Sequence, residues 1–353
     1  VAVLLSGGAG YIGATTAHDL IARGERVVVL DSLIHGHRDA VPAAAGFYEG
    51  DIGDEALVRR IADAEGIEAC IHFAAFIEVG ESVKKPALFF ENNFSKALRL
   101  IETLRTSGVR RFVFSSTAAV YGMPAYSPID EAHPRAPINP YGWSKLAVEA
   151  ALEGIGQAHE FSWVALRYFN AAGAGPHVPE RHNPETHLIP NVLRATAGLI
   201  PALKIFGTDY DTPDGTAIRD YVHVLDLADA HHRALEYLRA GGESQALNLG
   251  TGGGASILEV LEAAQRVTGK EAPHEFAPRR PGDATRLVAD ARRARQVLGW
   301  EPRHSALDNI VGTAWEWISG SRAMASPPHA HPAREPGSPS PTPLQTGSVA
   351  SRR

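Results

Sequence analysis

The sequence predicts a doubly wound parallel α/β sheet followed by a smaller C-terminal substrate-binding α/β domain. Three observations carry this expectation. Short runs that are apolar throughout, such as VAVLL (1–5), RVVVL (26–30) and RRFVFS (110–115), alternate with helix-patterned segments, as in a parallel sheet covered on both faces. A glycine-rich stretch, SGGAGYIG (6–13), separates the first run from the first helix. Beyond about residue 170 the alternation gives way to segments rich in Gly, Pro, His and Asn, which implies a second, differently built region.

The elements follow in order. After VAVLL a helix is expected over about 11–23, then the strand RVVVL. FYEGD (47–51) leads to a charged helix near 54–65. EACIHF (68–73) precedes one long helix through about 105. RRFVFS is followed by a loop and a helix from Pro140, and FSWVALRY (161–168) is the next strand. This gives a dinucleotide-binding Rossmann-type domain over 1–170. Residues 219–250 return to it, and 171–320 mainly form the substrate domain. Residues 321–353 are dominated by Pro and Ser, with few apolar residues, and are expected to be a disordered tail.

Composition narrows the function. At 44% apolar residues the chain can build a sizeable core, and its net charge of −6 without a long basic run argues against nucleic-acid binding. The single cysteine, Cys70, lies in an apolar run, so a disulfide framework is excluded. No apolar run approaches the roughly 18 residues of a membrane span, and VAVLL is short for a signal-peptide core. A cytoplasmic setting without a membrane partner is expected. Sixteen histidines include His35, His37, His177, His182, His187, His231 and His232. None stands in H-E-x-x-H or a comparable ligand motif, so no metal is expected.

In the glycine stretch, Gly7, Gly10 and Gly13 fall in the spacing G-x-x-G-x-x-G. Such a loop lets backbone approach a pyrophosphate at a helix N-terminus. Asp31, ending the second strand, is placed to hydrogen-bond a ribose 2′-hydroxyl, which favours NAD over NADP. Asp51 is placed either to reach the adenine or to cap the next helix.

YGWSK (141–145) puts Tyr141 and Lys145 four apart on a helix that follows Asn139-Pro140, and so on one face. A free tyrosine, with pKa near ~10, is a poor base at neutral pH. An ammonium about 4 Å away at an effective dielectric of ~20 contributes roughly 4 kcal/mol, about 3 pKa units, and would bring the phenol near ~7. Upstream, FSSTAAVYG (114–122) supplies Ser115, Ser116 and Thr117 at a strand end, which is either a solvated turn or a set of hydroxyls beneath a ligand.

GGAGYIG, Asp31, HFAA, FSSTAAVYG, NPYGWSK and RYFNAAGA together resemble the extended short-chain dehydrogenase/reductase superfamily, and within it the UDP-sugar 4-epimerases. The resemblance covers about 1–318; HLIPNVL, IFGTDYDTPDGTAIRDYVHVLDLADAH, NLGTG and RRPGD carry it downstream. It implies interconversion of UDP-glucose and UDP-galactose with NAD as bound cofactor, in a homodimer. The alternatives are a 4-epimerase of UDP-pentoses or UDP-N-acetylhexosamines, or a silent NAD-binding regulator. Thr117, Tyr141 and Lys145 would be catalytic. The resemblance puts Tyr11, Ile12, Asp31, Asp51, Ile52, Phe73, Ala75, Asn93, Ser115, Tyr141, Lys145 and Tyr168 at NAD. It puts Thr117, Asn170, Leu188, Phe206, Arg219, Arg280, Asp283 and Leu287 at the UDP-sugar. Two departures stand out: Ile77 where many relatives carry Lys, and His187 where some carry Asn. Alanines 118 and 119 replace the acids that related 4,6-dehydratases use to eliminate water. Leu287, in turn, either gates the sugar's 2-substituent or only packs against the domain.

Overall fold

The computed structural model describes residues 1–280 and 282–320; the expected tail, 321–353, lies outside them. A seven-stranded parallel sheet organises the chain. Ala2–Ser6 sits inside it. On one side lie Val27–Asp31 and then Gly46–Glu49; on the other lie Ile67–His72, Arg111–Thr117, Ser162–Tyr168 and Gln245–Leu249 in turn. The last strand comes from far along the chain and pairs residue by residue with Ser162–Tyr168, Leu249 opposite Tyr168.

Side chains alternate across the sheet, as strand geometry requires. Val3, Leu5, Val27 and Val29 point into one core, shared with Leu20 of helix Tyr11–Ala22 and with Leu227 and Leu235 of helix Val224–Arg239. Ala2, Leu4, Val28 and Leu30 point into the other, against helices Glu55–Glu65, Lys96–Thr106 and Pro140–Ala158. A third core lies between helices Leu188–Thr196, Ile257–Thr268 and Leu307–Ile318 and a short parallel strand pair, Leu203–Phe206 with His274–Ala277. This is the smaller α/β layer.

Local sequence sets the helix ends. Asn139 accepts a hydrogen bond from the Gly142 amide at 2.8 Å with Pro140 in the first turn, a cap that contributes about 1 kcal/mol. Asp54 caps Glu55–Glu65, so the capping role left open for Asp51 falls to its neighbour. The expected single helix through 105 is instead three α-helices and a π-turn. Val79–Lys84 stops before Pro86, which disfavours helical backbone at the preceding residue. Pro86–Phe90 then runs into a π-turn, Glu91–Ser95, before Lys96–Thr106. The five-residue π-turn is shorter than the window over which periodicity is read, so the sequence pattern does not single it out.

Asp220, fully buried, ties the small layer to the sheet. Its carboxylate accepts from the amides of Thr251 (2.8 Å), Gly252 (3.0 Å) and Ala289 (3.1 Å) and from the Thr251 hydroxyl. Asp220→Asn turns one acceptor oxygen into a donor and strands at least one buried amide. A loss of about 1–3 kcal/mol in unfolding free energy is expected, measurable by denaturant titration; a variant as stable as the parent would show that water takes over these amides.

Candidate active site

A cleft of 1530 Å³ opens at the carboxyl ends of the strands, where open α/β sheets bind ligands. Its floor is the glycine loop. Gly7 has φ of +76°, and a Cβ there would lie 2.4 Å from the Ala74 amide nitrogen. A Cβ on Gly13 would lie 2.3 Å from the Gly7 carbonyl. Packing therefore requires both. Gly10 differs: a Cβ there would meet only the Gly7 carbonyl, at 3.4 Å. The bareness of Gly10 keeps the cradle open rather than relieving a clash. Helix Tyr11–Ala22 begins at Gly10 with no side-chain cap and no acid in its first turn. Its free amides face the cleft as an anion site. These features fit a dinucleotide pyrophosphate.

Asp31 lines the same cleft. Its carboxylate accepts from the Ala9 amide at 2.9 Å and the Leu33 amide at 2.8 Å, so it braces the loop and holds Leu33 in its left-handed conformation, φ 56°. Remaining lone pairs are available to a ribose. Asp51 lines the cleft too, with its carboxylate on Lys96 and on the Gly53 amide. Tyr11, Ile12, Ile52, Phe73, Ala75, Ser115 and Tyr168 complete this wall. Asn93 does not line it. From the π-turn it clamps the loop behind Phe73, accepting from the Phe76 amide (2.8 Å) and donating to the Phe76 carbonyl (2.9 Å).

The three hydroxyls at the end of Arg111–Thr117 have three partners. Ser115 bonds the Tyr168 phenol. Ser116 points to the opposite face and donates to Glu149 at 2.5 Å. Thr117 accepts from the Ala119 amide at 3.1 Å and lies beside Tyr141, where it favours the ionised phenol. The solvated-turn reading fails, because all three are buried.

The electrostatic expectation for Tyr141 needs correction. Burial pushes its pKa up to about 12 and the Glu78 carboxylate adds to the rise, against the Thr117 hydrogen bond. Lys145 does not pull it down to neutrality. Its ammonium donates to the Ser115 carbonyl at 2.9 Å and lies 4.9 Å from the Phe114 ring centroid. Burial brings Lys145 down to about 7, opposed by Glu149. The expected coupling assumed that two residues four apart must touch, whereas here a backbone carbonyl takes the ammonium. The pH dependence follows. An unfolded lysine ionises near its ordinary 10.5 and the folded one near 7, so between these values the unfolded chain binds the extra proton. Stability of cofactor-stripped protein should therefore rise with pH across that window and be flat below it. Lys145→Met should remove this contribution to the rise, as read from unfolding free energies at several pH values.

On the sugar side, Asn170, Arg280, Asp283 and Leu287 line the cleft, whereas Leu188, Phe206 and Arg219 are not among its lining residues. Phe206 carries the Arg280 guanidinium 3.9 Å above its ring. Arg219 bonds the Asp283 carboxylate and the Ala284 carbonyl. Both therefore position cleft residues. Leu188 opens helix Leu188–Thr196, with His187 at its cap. Ile77 lines the cleft in place of a lysine. Sequence reasoning missed Glu149 and Arg167, a pair 2% and 3% exposed whose bonds are 2.6 and 3.0 Å. Arg167 also donates to the Tyr121 hydroxyl, which donates to Asn248. The signal was present: Tyr141, Lys145 and Glu149 are spaced four apart on one helix face.

A dinucleotide cradle facing a hydroxyl-flanked tyrosine is the arrangement of an enzyme that moves hydride and proton together, an oxidoreductase-type site in the broad sense. Residues 3–250 match the NAD dependent epimerase/dehydratase family, and the chain belongs to it. It is 50% identical over 319 residues to UDP-glucose 4-epimerase of Lacticaseibacillus casei, covering 90% of this chain and 96% of the relative. It is 48% identical to UDP-glucose 4-epimerase of Streptomyces lividans, covering 90% and 95%. The structure of UDP-glucose 4-epimerase from Brucella ovis in complex with NAD superposes with a TM-score of 0.88 at 44% identity, covering 90% and 98%.

Proposed function

We propose that the chain interconverts UDP-glucose and UDP-galactose by oxidation and re-reduction at C4. The observation that carries this reading is the convergence of Thr117 and Tyr141 on the cleft whose floor is the uncapped glycine loop. Relatives named UDP-glucose 4-epimerase, and a similar enzyme from Bifidobacterium longum in complex with NAD+ and UDP, support it.

When bound, NAD would supply the hydride acceptor and a positive charge that favours phenolate. Gly10 and the first turn of helix Tyr11–Ala22 would hold the pyrophosphate, and Asp31 the ribose. Tyr141 takes the 4-hydroxyl proton, with Thr117 orienting it, as hydride leaves C4. Arg280 anchors the UDP diphosphate as a forked cation while the flat 4-keto sugar turns. Tyr141 then returns the proton to the 4-oxygen of the turned sugar. No net redox change occurs, so the test is incubation with UDP-galactose without added NAD, followed by chromatography. UDP-glucose is the expected product; no conversion by protein that carries NAD would favour a silent binder.

Leu287 lines the cleft and also packs on the Tyr121–Ile129 cluster. An acetamido group there would force repacking at about 1–3 kcal/mol, roughly 5- to 150-fold in specificity. Leu287→Tyr should widen the preference for UDP-galactose over UDP-N-acetylgalactosamine, and Leu287→Ser should narrow it. Equal kcat/KM ratios in all three proteins would mean that Leu287 only packs.

We also infer a homodimer and a cytoplasmic setting. Val83, Leu88, Phe90 and Trp143 stand exposed on mutually packed helices, which supports the first. No helix among the described residues is long and apolar enough to cross a membrane, and the one cysteine is a buried free thiol. Light scattering of the purified protein tests the dimer.

A further inference from the structure

On the cleft wall beside Tyr11, two glutamates and two histidines from one short loop face one another. His187 Nδ1 is 2.8 Å from Glu180 Oε1 and 3.0 Å from Glu185 Oε1. His182 Nδ1 is 3.1 Å from Glu180 Oε1 and 3.8 Å from Glu185 Oε2. One atom from each residue lies within 4.8 Å of the others. A tetrahedral ion with bonds near ~2.0–2.1 Å needs donor atoms about 3.3 Å apart, and the observed separations bracket that value. We propose that Glu180, His182, Glu185 and His187 form a structural zinc site.

Charge balance supports the assignment. The glutamate side chains are only 6% and 4% exposed, and among the described residues their ion pairs run to the two imidazoles alone. One divalent ion balances the same two carboxylates with both rings neutral. Buried charges require such compensation. The other three-residue cluster, Glu25, His232 and Glu236, differs in this respect: Arg239 already bonds both of its carboxylates.

Neighbouring side chains hold the loop that carries the four residues. Asn191 donates to the carbonyls of Glu185 and His187. Arg181, between two of the ligands, pairs with Asp39 of the cofactor-binding half at 2.9 Å. The ion would thus fasten the loop that leads into Leu188–Thr196. Two nitrogens and two carboxylate oxygens in a tetrahedron suit zinc, with cobalt(II) as its reporter. No metal was expected from sequence because the spacing H-x-x-x-x-H lies in a loop and matches no familiar motif.

The test uses the full chain. Protein stripped with a chelator, incubated with zinc and desalted should carry about one ion per chain by mass spectrometry. Cobalt(II) in its place should give the intense visible absorption of tetrahedral coordination. His182→Ala and Glu185→Gln should each lose both signals, whereas His177→Ala, just outside the cluster, should keep them. Less than about a tenth of an ion per wild-type chain would overturn the proposal. So would a pale octahedral cobalt spectrum, or full zinc retention in both ligand variants. Should the variants not fold, the wild-type ion count and cobalt spectrum decide.

Discussion

Tyr141→Phe is expected to lower turnover of UDP-galactose by about 10³-fold or more while leaving the fold and the bound NAD in place. Positioned proton transfer contributes roughly 10²–10⁴, and here one phenol must serve both half-reactions. Removing the oxygen leaves the ring, so packing around the site persists. Thr117 cannot substitute, because a threonine hydroxyl is a far weaker acid than a phenol. Burial raises this phenol's pKa in the protein alone, and the positive charge of bound NAD would oppose that rise. The checks are kcat by chromatography, NAD content by absorbance and thermal midpoint by calorimetry. A variant with near-normal kcat would remove Tyr141 from the reaction.

The second large effect concerns stability. Glu149→Gln should cost about 3–5 kcal/mol, because Arg167 would keep its charge in a buried site without its bidentate partner. Ser116 would lose its anionic acceptor at the same time. Calorimetry should show a midpoint lower by several degrees. The double variant Glu149→Leu, Arg167→Met should recover part of this loss, since a buried ion pair replaced by apolar groups often costs little. The single and double variants should therefore be strongly non-additive. A single variant within about 0.5 kcal/mol of the parent would show that Arg167 reaches water or another anion.

Much of this was legible in the sequence, for reasons visible at particular residues. Continuous apolar runs such as VAVLL and RVVVL named the central strands, because those strands are buried on both faces. Gly7 and Gly13 could be read because backbone lies where a side chain would be. That Thr117 lies beside Tyr141 was implied by the family resemblance, since the hydroxyl run itself left a solvated turn open. What could not be read depended on chain segments remote in sequence. Lys145 finds the Ser115 carbonyl rather than the phenol, and nothing in YGWSK announces that. Arg219 and Phe206 act by positioning Asp283 and Arg280, a distinction between touching a ligand and holding what touches it that a motif does not encode. The π-turn that aims Asn93 was hidden in an apparently continuous helix.

The late return of Gln245–Leu249 to the sheet has a consequence for how the protein is made. When a ribosome has released only the first 170 residues, Ser162–Tyr168 is an open edge, with no partner yet synthesised. One face of the nascent sheet is equally bare, since its cover includes Leu227, Leu235 and Trp300. Open edges and exposed apolar faces are the surfaces through which chains associate wrongly. The cofactor-binding half therefore cannot finish folding as an independent N-terminal unit during synthesis. At about 5–20 residues per second, the roughly 80 residues to the end of the missing strand leave that edge open for some 4–16 seconds, an interval in which chaperone engagement would be concentrated.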